Sequence, residues 1–175
     1  MIRHLAAAAA LLLASACAIL VPPETAAPRL EGVPKSFEMT GRLAMRRGQE
    51  SEIAQLRWTR RGAADTWVLA SPLGNEVARI ESGARGATLY QAGGGGVQAD
   101  SFEELTDRLL GVGLDPGALA QALHGHVPGQ VPQGWRFTID ETQPAGAVTL
   151  AKRITVTDGR TVVKLVVDSY QALPD

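Results

Sequence analysis

The chain has 175 residues, with 17 basic against 18 acidic side chains and one cysteine. A formal net charge of −1 excludes the basic footprint of a nucleic-acid binder. A lone cysteine excludes disulfides within the chain and any zinc site built from several thiolates.

The first residues fall into three zones. Arg3 is charged, Leu5 to Leu13 is wholly Ala and Leu, and Ala14, Ser15 and Ala16 are small. That order is a secretory signal. Its apolar run is too short for a spanning helix, which needs about 20 residues, so residues 1–16 are expected to be removed. Cys17 stands where cleavage would fall, and Leu13-Ala14-Ser15-Ala16-Cys17 resembles the bacterial lipobox. The resemblance implies that the Cys17 sulfur carries a diacylglycerol as a thioether. By the same resemblance to lipoproteins, Ala18 beside it fits sorting to the outer membrane, periplasmic face. Loss of Arg3 leaves a net charge of about −2. Residues 17–36 hold Pro22, Pro23, Pro28 and Pro34 and read as a tether. Residues 37–173 are long enough for one domain with its own core.

Strict alternation predicts a first strand over Phe37–Met45, with Phe37, Met39, Leu43 and Met45 on one face. A second, Glu52–Thr59, places Ala54, Leu56 and Trp58 together. Trp67–Ala70, Asn75–Glu81 and Ala87–Gln91 follow, then a glycine turn at 93–96 and a short sixth strand near Val97. Ser101 with Glu104 is a capping box opening a helix with Phe102, Leu105, Leu109 and Leu110 as its stripe, ended by Gly111. Asp115-Pro116 opens a second helix that carries Leu119, Ala122 and Leu123 and stops at Gly125. Strands resume at Trp135–Asp140, Val148–Leu150 and Arg153–Thr157. Asp158-Gly159 then turns the chain into Thr161–Asp168. Consecutive strands with short turns imply an antiparallel meander. A curved sheet with both helices laid into its concave side would bury their stripes.

No catalytic constellation accompanies this pattern. His124 and His126 flank Gly125, but spacing positions no third metal ligand, and they read as a solvated helix end. Glu103 and Glu104 read as helix-surface charges. The glycines at 93–96 lack a phosphate-loop context, and Ser71 has no nucleophile elbow around it. The expectation is a protein that is no enzyme and uses no metal and no cofactor.

Several segments together carry a family resemblance. They are Phe37-Glu38-Met39-Thr40-Gly41-Arg42-Leu43-Ala44, Leu56-Arg57-Trp58, and Trp67-Val68-Leu69-Ala70-Ser71-Pro72-Leu73-Gly74. Leu109–Gly111, the Leu119/Leu123/Gly125 helix, Gly134-Trp135 and Val163-Lys164-Leu165-Val166-Val167 complete the set, with Tyr170 where a tryptophan is frequent. In that order after a lipobox, they resemble the LolB family of outer-membrane lipoprotein receptors. The resemblance implies a mainly β fold with α: an open antiparallel half-barrel, an incomplete barrel whose helices cover a concave apolar cavity. It implies a monomer that accepts lipoproteins from a periplasmic LolA-like carrier, holds their acyl chains and releases them into outer-membrane lipid.

Such a task suits an apolar cavity. A sixteen-carbon chain has a membrane preference on the order of 10 kcal/mol at ~0.8 kcal/mol per CH₂, and binding it takes area rather than chemistry. The expected cavity wall is Leu43, Met45, Leu56, Trp58, Leu69 and Ile80 from the strands, with Leu105, Leu109, Leu119 and Leu123 from the helices. Leu73 is an apolar residue at the tip of a Pro/Gly turn, where polar residues are usual. With the resemblance, it is expected to form a membrane-insertion loop. Two alternatives stay open: another periplasmic lipid-binding lipoprotein, and a structural or assembly lipoprotein whose core is simply filled.

Overall fold

The computed structural model describes residues 32–128, 131, 134–146 and 148–174. The expected signal peptide, Cys17 and most of the tether lie outside the described residues.

Among the described residues, nine strands and two helices follow the order read from the sequence. The strands are β1 (Ser36–Arg47), β2 (Glu50–Arg61), β3 (Ala64–Ala70), β4 (Glu76–Gly83), β5 (Gly86–Gln91), β6 (Val97–Ala99), β7 (Arg136–Ala145), β8 (Val148–Thr157) and β9 (Thr161–Ala172). The helices, α1 (Phe102–Leu110) and α2 (Pro116–Leu123), lie between β6 and β7. All strands belong to one open antiparallel sheet ordered β6-β5-β4-β3-β2-β1-β9-β8-β7. This is the expected class. It consists of two meanders joined where β1 pairs with β9, a pairing that turn signals do not announce.

The two segments Val148–Leu150 and Arg153–Thr157 form one strand. Lys152 places a polar residue in the row that Leu150, Ile154 and Val156 otherwise share, and two compensating register shifts against Ile139–Thr142 of β7 carry the pairing past it. The Lys152 ammonium donates to the Val167 carbonyl at 2.5 Å.

Alternation decides the core. Phe37, Met39 and Leu43 of β1, Leu56 and Trp58 of β2, Trp67 and Leu69 of β3, and Ile80 of β4 are buried with Ile154, Val163, Leu165 and Val167. Both helices cover this face, α1 packing on β4, β5 and β6, and α2 on β7 and β8.

Polar contacts set where each helix sits. The Ser101 hydroxyl accepts from the Glu104 amide, and Gly111 closes α1 in the left-handed conformation at φ 66°. At that end the Arg47 guanidinium donates to the Gly111 carbonyl at 2.6 Å, tying α1 to the end of β1. The buried Thr106 hydroxyl accepts from the Leu114 amide at 2.8 Å, fixing the turn between the helices. Within the sheet, buried Asp65 accepts from the Trp58 indole at 2.6 Å and holds Arg60 through two bonds at 2.9 and 2.8 Å.

His124 departs from its sequence reading. It is completely buried rather than solvated. Its Nδ1 faces the Ala120 carbonyl at 2.7 Å and its Nε2 the Tyr170 hydroxyl at 2.9 Å. A carbonyl only accepts, so Nδ1 carries the proton and Nε2 accepts from Tyr170. The ring also meets Phe37 edge-on at 5.4 Å. The histidine thus pins the end of α2 to β9 and β1. Burial holds its pKa below the ordinary value, aided by the positive charge of His126 and Arg60 and opposed by the Ala120 carbonyl. Burial likewise pushes the Tyr170 hydroxyl up to about 12.

Gly41 sits where β1 and β9 shift register, between Thr40 and Gly41. A Cβ added there would lie 2.3 Å from the Val166 carbonyl oxygen, a backbone atom with little room to retreat.

Two outcomes are expected. Gly41→Ala should destabilise the fold by about 1–3 kcal/mol, the usual cost of overpacking. Gly83→Ala, with nothing within 4 Å of its added Cβ, should stay within about 0.5 kcal/mol in the same denaturant titration. The second outcome concerns pH. A depressed histidine pKa means that the unfolded chain binds more protons than the folded one as pH falls below about 6.5. Stability should therefore be full above that value and fall progressively as the pH drops below it. Thermal melts of His124→Gln should start lower and show less of this acid dependence than the parent.

Candidate functional site

A largely apolar opening lies at the pole of the sheet where β1 ends. It is a cavity of about 380 Å³, at the low end of the roughly 300–1,000 Å³ typical of ligand pockets. Leu43 and Met45 of β1, Ala54 of β2 and Leu110 of α1 give it an aliphatic lining. Alternation places Leu43, Met45 and Ala54 on the covered face, and the Arg47 contact holds the last turn of α1 over them. Ser71 and Pro72, in the turn after β3, close one side. Glu52 brings the wall a carboxylate.

That turn is built by its own backbone. The Ser71 amide donates to Asn75 and the Gly74 amide to Ser71, both at 2.8 Å. Gly74 adopts φ 88°, which favours glycine. The Gln55 side-chain amide donates to the Pro72 carbonyl at 3.2 Å, bracing the turn against β2. Leu73 projects from this braced turn 90 % exposed. Val77, at 44 %, and Ile53, at 60 %, are the other exposed aliphatic side chains at this pole.

All ten residues expected to line a cavity lie in or against one apolar cluster. Leu43 and Met45 border the open volume. Leu56, Trp58, Leu69, Ile80, Leu105, Leu119 and Leu123 are buried in the core, and Leu109 packs partly buried against it. In α1 the side chain at the cavity is Leu110, one residue beyond the expected Leu109. Leu110 falls on the buried face of α1 with Phe102, Leu105 and Thr106 at helical spacing, whereas Leu109 packs at its edge. Ala54 was visible as an inward position of the second strand. Ser71 and Pro72 stand out in the sequence only as a turn and as part of the family resemblance. Among the described residues there is no group of three or more His, Cys, Asp or Glu side chains arranged to hold a metal.

Residues 35–132 match the family model described as outer membrane lipoprotein LolB. The chain is similar to the outer-membrane lipoprotein LolB of Azoarcus sp. (strain BH72), 31% identical over 92% of this chain and 91% of that one. It is similar to the same-named protein of Thiobacillus denitrificans, 32% identical over 98% of this chain and 100% of that one. Among solved structures it is similar to a LolA superfamily protein from Nitrosomonas europaea, with a TM-score of 0.45 and 8% identity over 84% of this chain and 90% of that one. A match across more than half of the chain, and relatives aligned over nearly their full length, mean that the chain belongs to the LolB family of outer-membrane lipoproteins.

Proposed function

We propose that the protein is a lipid-anchored receptor on the periplasmic face of the outer membrane. It accepts lipoproteins from a soluble LolA-like carrier, shelters their acyl chains and releases them into the membrane. The observation that carries this reading is the aliphatic cavity of about 380 Å³ beside a braced turn whose Leu73 is 90 % exposed, in a chain of this family. The geometry supports an aliphatic ligand, because Leu43, Met45, Ala54 and Leu110 offer contact area and no directional partner.

The rest of the expected wall is occupied by core side chains, so a whole acyl chain needs more room than the cavity has at rest. Separation of α1 from β1 would extend it toward Leu105, Leu56 and Trp58. Arg47, which joins β1 to the end of α1, is the contact that would have to lengthen. Transfer needs no catalysis and runs down an affinity gradient, for which a tenfold preference takes only about 1.4 kcal/mol. Leu73 would enter the bilayer surface on discharge. Burial of one leucine contributes roughly 1.5–3 kcal/mol, enough to orient the mouth and too little to anchor alone. Anchoring falls to Cys17.

The deciding experiment mixes the lipidated protein with a carrier–lipoprotein complex and follows cargo by pull-down. Cargo should pass to the receptor and then to added phospholipid vesicles; cargo remaining on the carrier would refute the reading. Met45→Ser should weaken acceptance about tenfold, the equivalent of losing 1.4 kcal/mol of apolar contact. Leu73→Glu should leave stability within about 0.5 kcal/mol and acceptance intact, yet slow release into vesicles. The intact mass of membrane-extracted protein should match a chain beginning at acylated Cys17, and a mass for an unmodified Met1 or Ala18 start would refute the anchor.

A further inference from the structure

Leu73 is not alone at its pole. Ile53 and Val77 are 60 % and 44 % exposed, and both contribute atoms to the cavity boundary. Ile53 alternates with the inward Ala54 and Leu56, which places it on the outer flank of β2 together with Gln55. Gln55 donates to Pro72, so the Leu73 turn lies along that same flank. Val77 follows the turn, one residue into β4. Of the nearby charges, Arg79 is held by Glu76 at 3.0 Å and Glu81 at 3.3 Å and Arg42 by Asp168 at 3.2 Å, while the Glu52 carboxylate stands in the wall itself. Aliphatic side chains thus line the lip of the cavity mouth beside a few carboxylates, which headgroup-level contact leaves hydrated.

The other end of the chain's path makes a bilayer the natural occupant. The described chain enters β1 at the opposite pole, where the Lys35 carbonyl accepts from Gly62 in the turn between β2 and β3. Ala44, which pairs with Ile53, lies eight residues along β1 from Ser36, about 27 Å at ~3.4 Å per residue. Residues 18–35 number 18 and can reach at most about 60 Å. A domain held at Cys17 can therefore turn its far pole onto the leaflet that anchors it. That encounter is intramolecular and always available, whereas a soluble partner must arrive by diffusion.

We propose that Ile53 and Val77, together with Leu73, form a bilayer-docking face, so that the domain lies on phospholipid with its cavity mouth down and the start of β1 away from the surface. This rests on the anchor and membrane-tip reading above and extends it from one residue to an oriented face. The face would seal the mouth against the lipid during discharge, so that an acyl chain leaves without crossing water.

Depth-dependent quenching tests the orientation on the full lipidated protein in phosphatidylethanolamine/phosphatidylglycerol vesicles. Acylation occupies the Cys17 sulfur, so a single new cysteine can be labelled with a fluorophore. The positions are Ile53→Cys, Leu73→Cys and Val77→Cys, with Arg61→Cys and Val127→Cys as controls. Arg61 is exposed where the chain enters β1. Val127 is apolar and 75 % exposed, three residues after His124, which packs on the start of β1. Lipids carrying a nitroxide near the headgroup should quench positions 53, 73 and 77 several-fold more than 61 and 127. Quenching at 73 alone would overturn the face while leaving a single-residue tip. Equal quenching at all five positions, or strongest quenching at 127, would overturn the orientation. If cargo transfer fails while quenching follows the expected pattern, the receptor reading falls and the docking face stands.

Discussion

The pairing of β1 with β9 is the constraint from which the remaining architecture follows. It puts the first described strand in the middle of a nine-strand sheet and leaves β6 and β7, neighbours in sequence, at its two edges. The segment between those edges has to cross the sheet, and it crosses over the face that carries Phe37, Trp58, Trp67 and Leu165. Helical cover of the apolar face is therefore a consequence of topology. The join tolerates only glycine at position 41, because there the Val166 carbonyl of β9 occupies the space of a side chain.

Hydrophobic contact alone would let two short helices slide on such a surface, since it is non-directional. Directional hydrogen bonds at the helix ends restrict that freedom, and the buried one that His124 donates to Ala120 would be costly to leave unmade. Arg47 holds the end of α1 and His124 with Tyr170 holds the end of α2. The two fixed points lie toward opposite poles, Arg47 at the end of β1 and His124 against Phe37 near its start. The exposed ion pairs of the outer face, such as Arg153–Glu141 and Arg42–Asp168, contribute little by comparison.

The cavity is the place where this cover stops. Between Leu110 and the inner side chains of β1 and β2, the aliphatic wall continues and no side chain fills the gap. A filled core and an empty pocket are made of the same residue types, and here they are continuous. That continuity gives the proposed acyl-chain receptor its physical plausibility. Extending the pocket exchanges one apolar contact for another, so room for cargo comes at a modest cost wherever the helices can part from the sheet.

Local chemistry made much of this legible in advance. Alternation in Phe37–Met45 and Glu52–Thr59, the Ser101 and Asp115 caps, the Gly111 stop and the Asp158-Gly159 turn act over a few residues and were read with nearly the observed boundaries. Lys152 splits β8 in the sequence reading, because a charged residue stands in the row of Leu150 and Ile154, and only the carbonyl of Val167 in the neighbouring strand gives it a partner. His124 misled that reading too: nothing local to a helix end reports that Tyr170, 46 residues away, supplies a hydroxyl. Likewise, the sequence offered Leu43 and Trp58 as equal candidates for a cavity wall. By itself it determined the class of sheet, the order of elements and the family, since these rest on periodicity and on motifs kept in series. The tertiary structure alone decided that β1 joins β9, that His124 is buried, and that Leu43, Met45 and Leu110 face open space while Trp58 does not. Each of those depends on which distant side chain arrives opposite, and periodicity carries no information about distance across a sheet.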